Sequence, residues 1–398
     1  MNDAPKNPGP KNPGLKNPGP KNPGPMKPGP TNQAPNNQAP TSPAPNGGSQ
    51  APLAQRQILD AVAFDPKRFF LRWEWLLVVL LLAVNLINSN LSPNYLVWSN
   101  IMDAIRIYAD KMILIFPMMM IILIGDIDIS VASTMALSGV LMGVSHAAGL
   151  PMPLAMVLAL LVGAICGTIN GLILAKYQEL AAMIVTLSTM IIYRGVASVI
   201  LEDRAAGAFP DWFSHIGWGS LFGLPVILVF FFLETAVFIW VIHYTAYGRS
   251  LYALGNNAEA ARYSGIDSKR VKVSLFAIMG VFASIAAIFL ASKMGSVRPS
   301  MAKGYELDVI AMVVLGGVST SGGQGRVIGV FIAAFIIGFL RYGLGLINVP
   351  SPTILVLIGC LLIVAASIPN LKNLLARRAK AVPQPSPSTK VTTSQADG

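Results

Sequence analysis

From Trp73 onward the chain is a succession of apolar runs separated by short polar breaks, at about 74–90, 112–125, 131–149, 153–175, 181–201, 224–244, 271–292, 305–319, 327–347 and 352–368. A helix needs ~20 apolar residues to cross the hydrocarbon core of a bilayer; most of the runs approach that, while the second and eighth fall short. The pattern predicts an all-α polytopic membrane protein of about ten transmembrane helices, short or re-entrant segments included. Glycines four apart, at Gly139/Gly143, Gly163/Gly167/Gly171 and Gly325/Gly329, place small faces where helices approach closely. Trp73, Trp75 and Trp98 near the first span, and Trp212 and Trp218 in a loop, suit interfacial anchors.

Ahead of the first run the pattern changes. Lys6-Asn7-Pro8-Gly9-Pro10 recurs with small changes from Lys11, Lys16 and Lys21, then decays into Pro-, Asn- and Gln-rich sequence. Such a segment has too little apolar surface to bury, so residues 1–55 are expected to be a disordered cytoplasmic tail, with 56–72 a basic juxtamembrane stretch. No compact apolar stretch with a cleavage site follows Met1, and a removable signal peptide is not expected. The transmembrane domain then runs over 73–370, interrupted by a polar loop at 245–270, and 371–398 form a second tail.

Composition agrees with a membrane protein: 54% of residues are hydrophobic and 12% charged, against about 25% charged in soluble domains. The net charge of +11 is concentrated in tails and loops, which reads as an orientation signal and not as a nucleic-acid footprint. Lys67, Arg68 and Arg72, the loop, and Lys372, Arg377, Arg378 and Lys380 all favour the cytoplasm, giving both termini inside and an even number of spans. Lys293, Arg298 and Lys303 run against that trend. Cys166 and Cys360 fall inside apolar runs, and His146, His215 and His243 form no ligand set, so no metal, disulfide or bound cofactor is expected.

The loop 245–270 carries the first candidate chemistry. Ala258-Glu259-Ala260-Ala261-Arg262-Tyr263 favours helix, Asn256 can cap it with Glu259 in the box position, and Gly265 stands where a left-handed stop is wanted. So short a helix is either a connector lying on the membrane or a docking element whose Ala260 and Ala261 allow close approach to another protein. A second cluster, Gly125-Asp126-Ile127-Asp128-Ile129-Ser130, is either a solvated turn with Asp128 capping the next helix or a carboxylate pair facing a cavity. A third joins Gly304-Tyr305-Glu306-Leu307-Asp308 to the glycine-rich stretch from Gly316 to Gly325. That stretch lacks the Gly-Lys-Ser/Thr ending of a phosphate loop. Asn170, Thr186, Thr189 and Arg194 are polar groups in apolar settings, suited to bonding between helices or to lining a path.

Several of these blocks resemble the permeases of ABC importers for simple sugars, the ribose-type family. Gly255-Asn256-Asn257 with Ala260-Ala261-Arg262-Tyr263-Ser264-Gly265 looks like that family's cytoplasmic loop, and residues 125–133 are similar to its G-G-I-D-L-S-V-G-S signature, with Asp126 and Ala132 in place of two glycines. Gly304 to Asp308 and Gly316 to Gly325 resemble its G-Y-E-L-D-x-I-A and G-G-x-S-x-x-G-G-x-G blocks. The resemblance implies a non-enzymatic subunit of a bacterial inner membrane that pairs with a second permease, identical or not. It also implies docking through Gly255, Asn256, Glu259, Ala260, Ala261, Arg262 and Gly265 on a cytoplasmic ATPase that binds the ATP, and sugar delivered by a periplasmic binding protein. Path candidates are Asp128, Ser130, Asn170, Thr186, Thr189, Arg194, Tyr305, Glu306 and Asp308. Asp126 with Ala132, Gly295 to Ser300 and Gly343 to Asn348 look closest to the rhamnose branch, with the autoinducer-sugar branch next. The competing reading is a secondary transporter moving protons through Asp126, Asp128, Glu306 or Asp308. An intramembrane metalloenzyme built on the same carboxylates lacks the ligand spacing.

Overall fold

The computed structural model describes residues 73–202 and 204–380. The expectations for 1–55, for 56–72 and for the end of the second tail lie outside the described residues. The chain begins with α1 (Trp73–Leu91), α2 (Trp98–Met112), α3 (Ile115–Leu123), α4 (Val131–Ala147), α5 (Met152–Lys176) and α6 (Ala182–Leu201). Then come β1 (Ala206–Gly207), α7 (Asp211–Trp218), β2 (Ser220–Leu221), β3 (Leu224–Pro225), α8 (Val226–Tyr244), α9 (Ala246–Asn256) and α10 (Ala258–Tyr263). The remainder is α11 (Ser268–Met294), β4 (Ser296–Val297), α12 (Tyr305–Leu315), α13 (Val327–Leu346) and α14 (Ser351–Lys380). Among the described residues, 6 helices are long and apolar enough to cross a membrane: α1, α5, α6, α8, α11 and α13. The strands are two-residue ribbons, β1 antiparallel to β4 and β2 to β3.

The two short runs resolve differently from the rest. The run at 112–125 is the second half of a broken element: α2 ends at Met112, the chain turns, and α3 continues for 9 residues, every one of them buried. Hydropathy misses α2 because it carries Asp103, Arg106, Asp110 and Lys111. The run at 305–319 yields only the 11 residues of α12, after which Gly316 and Gly317 stop the helix. Gly317, at φ +87°, closes a Schellman turn in which Val318 N donates to Val313 O and Gly317 N to Val314 O.

The central seam is α5 against α11. A Cβ on Gly163 would lie 2.2 Å from Gly280 O, and one on Gly167 would lie 2.0 Å from Phe276 O, so the backbones touch where glycine removes the side chain. The same spacing serves α4, whose Gly143 faces Val297 and Ala206 of the β1–β4 ribbon. The pair Gly325/Gly329 is a correction: Gly325 precedes α13, and only Gly329 packs there, against Gly316 O. Phe116 of α3 stacks on Phe231 and Phe238 of α8, both at 5.6 Å between centroids, and Phe231 stacks on Phe331 of α13 at 5.5 Å. The indole N–H groups of Trp73 and Trp218 donate to Leu315 O and Lys293 O, which fixes both rings against the bundle.

Candidate functional site

Polar groups gather at three levels along the bundle. At one end, α9 lies across the ends of α3 and the glycine-rich turn, and α10 packs on α9. Thr245 caps α9, its side chain accepting from Gly248 N at 3.2 Å. Helix α10 is capped by Asn257, whose Oδ1 accepts from Ala260 N at 2.9 Å. The expected box of Asn256 with Glu259 is therefore not formed. Asn256 is drawn away by its amide, which donates to Gly323 O at 3.3 Å and Tyr252 O at 2.8 Å. Gly265 has the left-handed φ of +84° that the sequence called for, with Ile266 N donating to Ala261 O and Gly265 N to Arg262 O. Ala261 is buried, while Glu259, Ala260, Arg262 and Tyr263 are exposed.

Gly255 sets how α9 sits. A Cβ there would lie 1.9 Å from Leu123 O and 2.3 Å from Gly323 N, so only glycine admits the helix to this position. Gly323 N donates to Leu123 O at 2.8 Å, and Tyr252 OH donates to Gly325 O at 2.8 Å. Burial holds the Tyr252 phenol above its ordinary range although Arg326 pulls the other way, which keeps the hydroxyl a donor. The polar loop, the end of α3 and the turn at 316–325 are thus joined by hydrogen bonds.

The second level is the junction before α4. Asp128 does not cap that helix. Its Oδ1 accepts from Ser130 N at 2.8 Å and from Ser130 Oγ at 2.6 Å, an Asx turn closed two residues on. Ser130 Oγ accepts from Asn170 Nδ2 at 2.8 Å, and Tyr193 OH donates to Asn170 Oδ1 at 3.2 Å, which ties α4, α5 and α6 together. Thr186 Oγ1 donates to Ile127 O at 3.2 Å and to Ala182 O at 2.9 Å, and Thr189 Oγ1 donates back to Thr186 O at 3.2 Å. Asp126 is ion-paired at 2.7 Å with Lys272 of α11. Asp128→Asn, which keeps the acceptor oxygen, should retain much more transport than Asp128→Leu, which orphans the Ser130 N–H at a cost of about 1–3 kcal/mol. Uptake per unit of membrane-inserted protein checks this, and equal inactivation by both changes would instead point to a required charge.

At the far end, α2, α11, α12 and α13 meet in a buried ion network. Asp308 takes Lys111 Nζ at 2.7 Å on one oxygen and Arg341 on the other. Asp110 is 3.2 Å from Lys293 Nζ and accepts from Tyr305 OH at 2.9 Å. The Lys111 ammonium also lies 4.4 Å from the centre of the Tyr305 ring. Asp308 and Tyr305, two of the sequence-derived path candidates, belong here. Their partners Asp110, Lys111 and Arg341 escaped the sequence reading, although an arginine inside an apolar run signals a buried counter-charge, and Lys293 stood out there only as a basic residue against the charge trend. Beside the network is a cavity of about 530 Å³ whose polar lining includes Arg194, Arg298, Lys303, Glu306, Ser133 and Ser198. Arg194 Nη1 donates to Pro299 O at 2.6 Å and Met301 O at 2.7 Å, holding the segment after β4 against α6. Of the path candidates, Arg194 and Glu306 line this cavity. Asp128, Ser130, Asn170, Thr186 and Thr189 fall in the junction network instead. No group of three or more His, Cys, Asp or Glu side chains suited to a metal occurs among the described residues.

These features define a multi-pass membrane subunit whose polar groups are arranged in layers from one end of the bundle to the other. Residues 104–366 match the family described as "Branched-chain amino acid transport system / permease component", and the chain belongs to that family. The ribose import permease protein RbsC of Bacillus subtilis (strain 168) is 38% identical over 299 residues, 75% of this chain and 91% of that protein. RbsC of Escherichia coli (strain K12) is 33% identical over 315 residues, 77% of this chain and 98% of its own length. The autoinducer 2 import system permease protein LsrD of Enterobacter sp. (strain 638) is 33% identical over 300 residues, covering 74% and 91%. No solved structure matches. As a permease component of this kind the chain is a membrane subunit and not an enzyme, and it is a protein of the bacterial inner membrane.

Proposed function

We propose that the chain is the transmembrane subunit of an ATP-driven importer for a simple sugar, a ribose-, rhamnose- or autoinducer-type monosaccharide. In this reading a cytoplasmic ATPase docks on α9 and α10, a periplasmic binding protein delivers the sugar, and a second permease completes the path. ATP is held by the partner ATPase, and this chain carries no cofactor. The chain crosses the membrane ten times, with α2–α3 and α12 plus its glycine-rich turn each making one crossing, so that both tails are cytoplasmic. The supporting geometry is that α9 sits beside Leu123 and Gly323, at the far end of α11 from the Lys293 network.

The observation that carries the reading is the polar cavity on the flank of α6. That helix exposes Met183, Ile184, Leu187 and Ile191, an apolar face, yet one turn further on Arg194 and Ser198 open into the cavity with Glu306. Charged groups at membrane depth are too costly to leave against lipid, so a second subunit closes the cavity and makes it a passage. The proton-coupled alternative fares worse on the geometry at three of its four carboxylates, because Asp126 and Asp308 are ion-paired and Asp128 is bound within its own turn. Glu306, by contrast, lines the cavity with one buried oxygen that has no hydrogen-bond partner among the described residues.

The experiment is reconstitution of the solubilised chain with its ATPase and sugar-loaded binding protein. Co-purification of the ATPase and hydrolysis raised by the loaded binding protein are the expected results. Uptake driven by a proton gradient with no ATPase present would overturn the proposal.

A further inference from the structure

On the flank of the α5–α11 seam, where α5 ends, α11 begins and Gly171 packs against the backbone of Val273, lies an open groove of about 570 Å³. Its walls are apolar: Leu172 and Ala175 on α5, Val273 and Ala277 on α11. At its head stand three cations, Lys176, Lys269 and Arg270, all exposed. Asp267, which caps α11 through Lys269 N and Arg270 N, pairs with Arg270 at 3.0 Å and offsets one of the three charges. Two positive charges remain over an apolar trough.

The groove continues a longer feature. Leu154, Val157, Leu161, Ile165, Ile169 and Leu172 are all exposed and recur every three to four residues down α5, a stripe that faces hydrocarbon in a bilayer and runs straight to the cations. We propose that this groove binds an anionic phospholipid, one acyl chain lying along the α5 stripe and the phosphate held by Lys176, Lys269 and Arg270. Basic pockets between helix ends recognise acidic headgroups in this way. Ser274 lines the same groove and shares a 2.7 Å hydrogen bond with Tyr247 of α9, so an occupant bears directly on the polar loop.

The site rests on the reading that this end faces the inner leaflet. Lipid retention is measured without ATPase, binding protein or sugar, so failure of the site and failure of the transport reading are told apart. The test is to purify the full chain from bilayers of equal phosphatidylglycerol and phosphatidylcholine and to quantify both lipids retained in mild detergent. Phosphatidylglycerol should be enriched on the native protein. The triple variant Lys176→Gln, Lys269→Gln, Arg270→Gln should lose that enrichment by about fivefold for each charge removed, equivalent to ~1 kcal/mol apiece. Glycerol phosphate, which has the head and no chain, should not displace the lipid from the native protein at matched concentration. Equal retention of both lipids by the native protein, an unchanged ratio in the triple variant, or displacement by glycerol phosphate would each overturn the proposal.

Discussion

Asp308→Ala should largely remove the protein from the membrane. The side chain is 5% exposed and is the counter-charge for both Lys111 and Arg341, themselves 10% and 11% exposed. Removing it leaves two cations buried among α2, α12 and α13. Breaking a buried pair from one side costs about 3–5 kcal/mol, a large part of the ~5–15 kcal/mol that holds a typical domain together. Asp308→Ala combined with Lys111→Met leaves Arg341 as the single orphaned cation in place of two, and should recover part of the loss. Abundance in isolated membranes and the thermal unfolding midpoint in detergent are the measurements. Native abundance and midpoint for Asp308→Ala alone would show that water or lipid headgroups reach these cations.

Gly255→Val should insert and fold but transport at less than about a tenth of the native rate, a loss equivalent to ~1.4 kcal/mol or more in the productive docking of α9. The added atoms collide with Leu123 O and Gly323 N, both backbone, so no side chain can swing aside. Helix α9 must lift, and with it go the bonds from Asn256 to Gly323 and from Tyr252 to Gly325. Hydrolysis by the partner ATPase should then no longer respond to loaded binding protein. Gly265→Ala is the informative contrast. No atom lies within 4 Å of a Cβ there, so it incurs only the strain of a left-handed φ, about 1–2 kcal/mol. A Gly255→Val protein with normal uptake and stimulated hydrolysis would remove this contact from the coupling route.

What could be read from the chain was what is encoded locally. Gly163, Gly167 and Gly171 announced the α5–α11 seam because a four-residue stripe on a helix needs no knowledge of the partner. Gly265 was legible for the same reason, since its left-handed turn is a property of six consecutive residues. The cap of α10 came out one residue off because Asn256 and Asn257 are equally able to cap. The choice is made by Gly323, 67 residues away, which claims the side chain of Asn256. Helix α2 was invisible to hydropathy because its charges are satisfied only in three dimensions, Lys111 by Asp308 across 197 positions. The candidate path residues were each recognisable as polar groups out of place. Their division between a junction network, an ion network and a cavity depended on how α4, α5, α6 and α12 come together.

The buried α3 bears on how the protein is made. Nine residues of helix extend only ~13 Å, far less than the ~20 residues by which a nascent segment is admitted to the bilayer as a span. The helix before it carries Asp110 and Lys111, whose partners Lys293, Asp308 and Arg341 are synthesised much later. During translation, then, this element has neither the length nor the neutrality to enter alone, and it takes its place only after the C-terminal helices exist to receive it. A chain stopped after Met294 would contain all the residues of α2 and α3 and still lack the Asp308 carboxylate that makes Lys111 tolerable there. Assembly of the bundle is in this respect a single late event, and ribosome-bound intermediates should expose the segment around Asp110 and Lys111 to water-soluble labels until the last third of the chain has emerged.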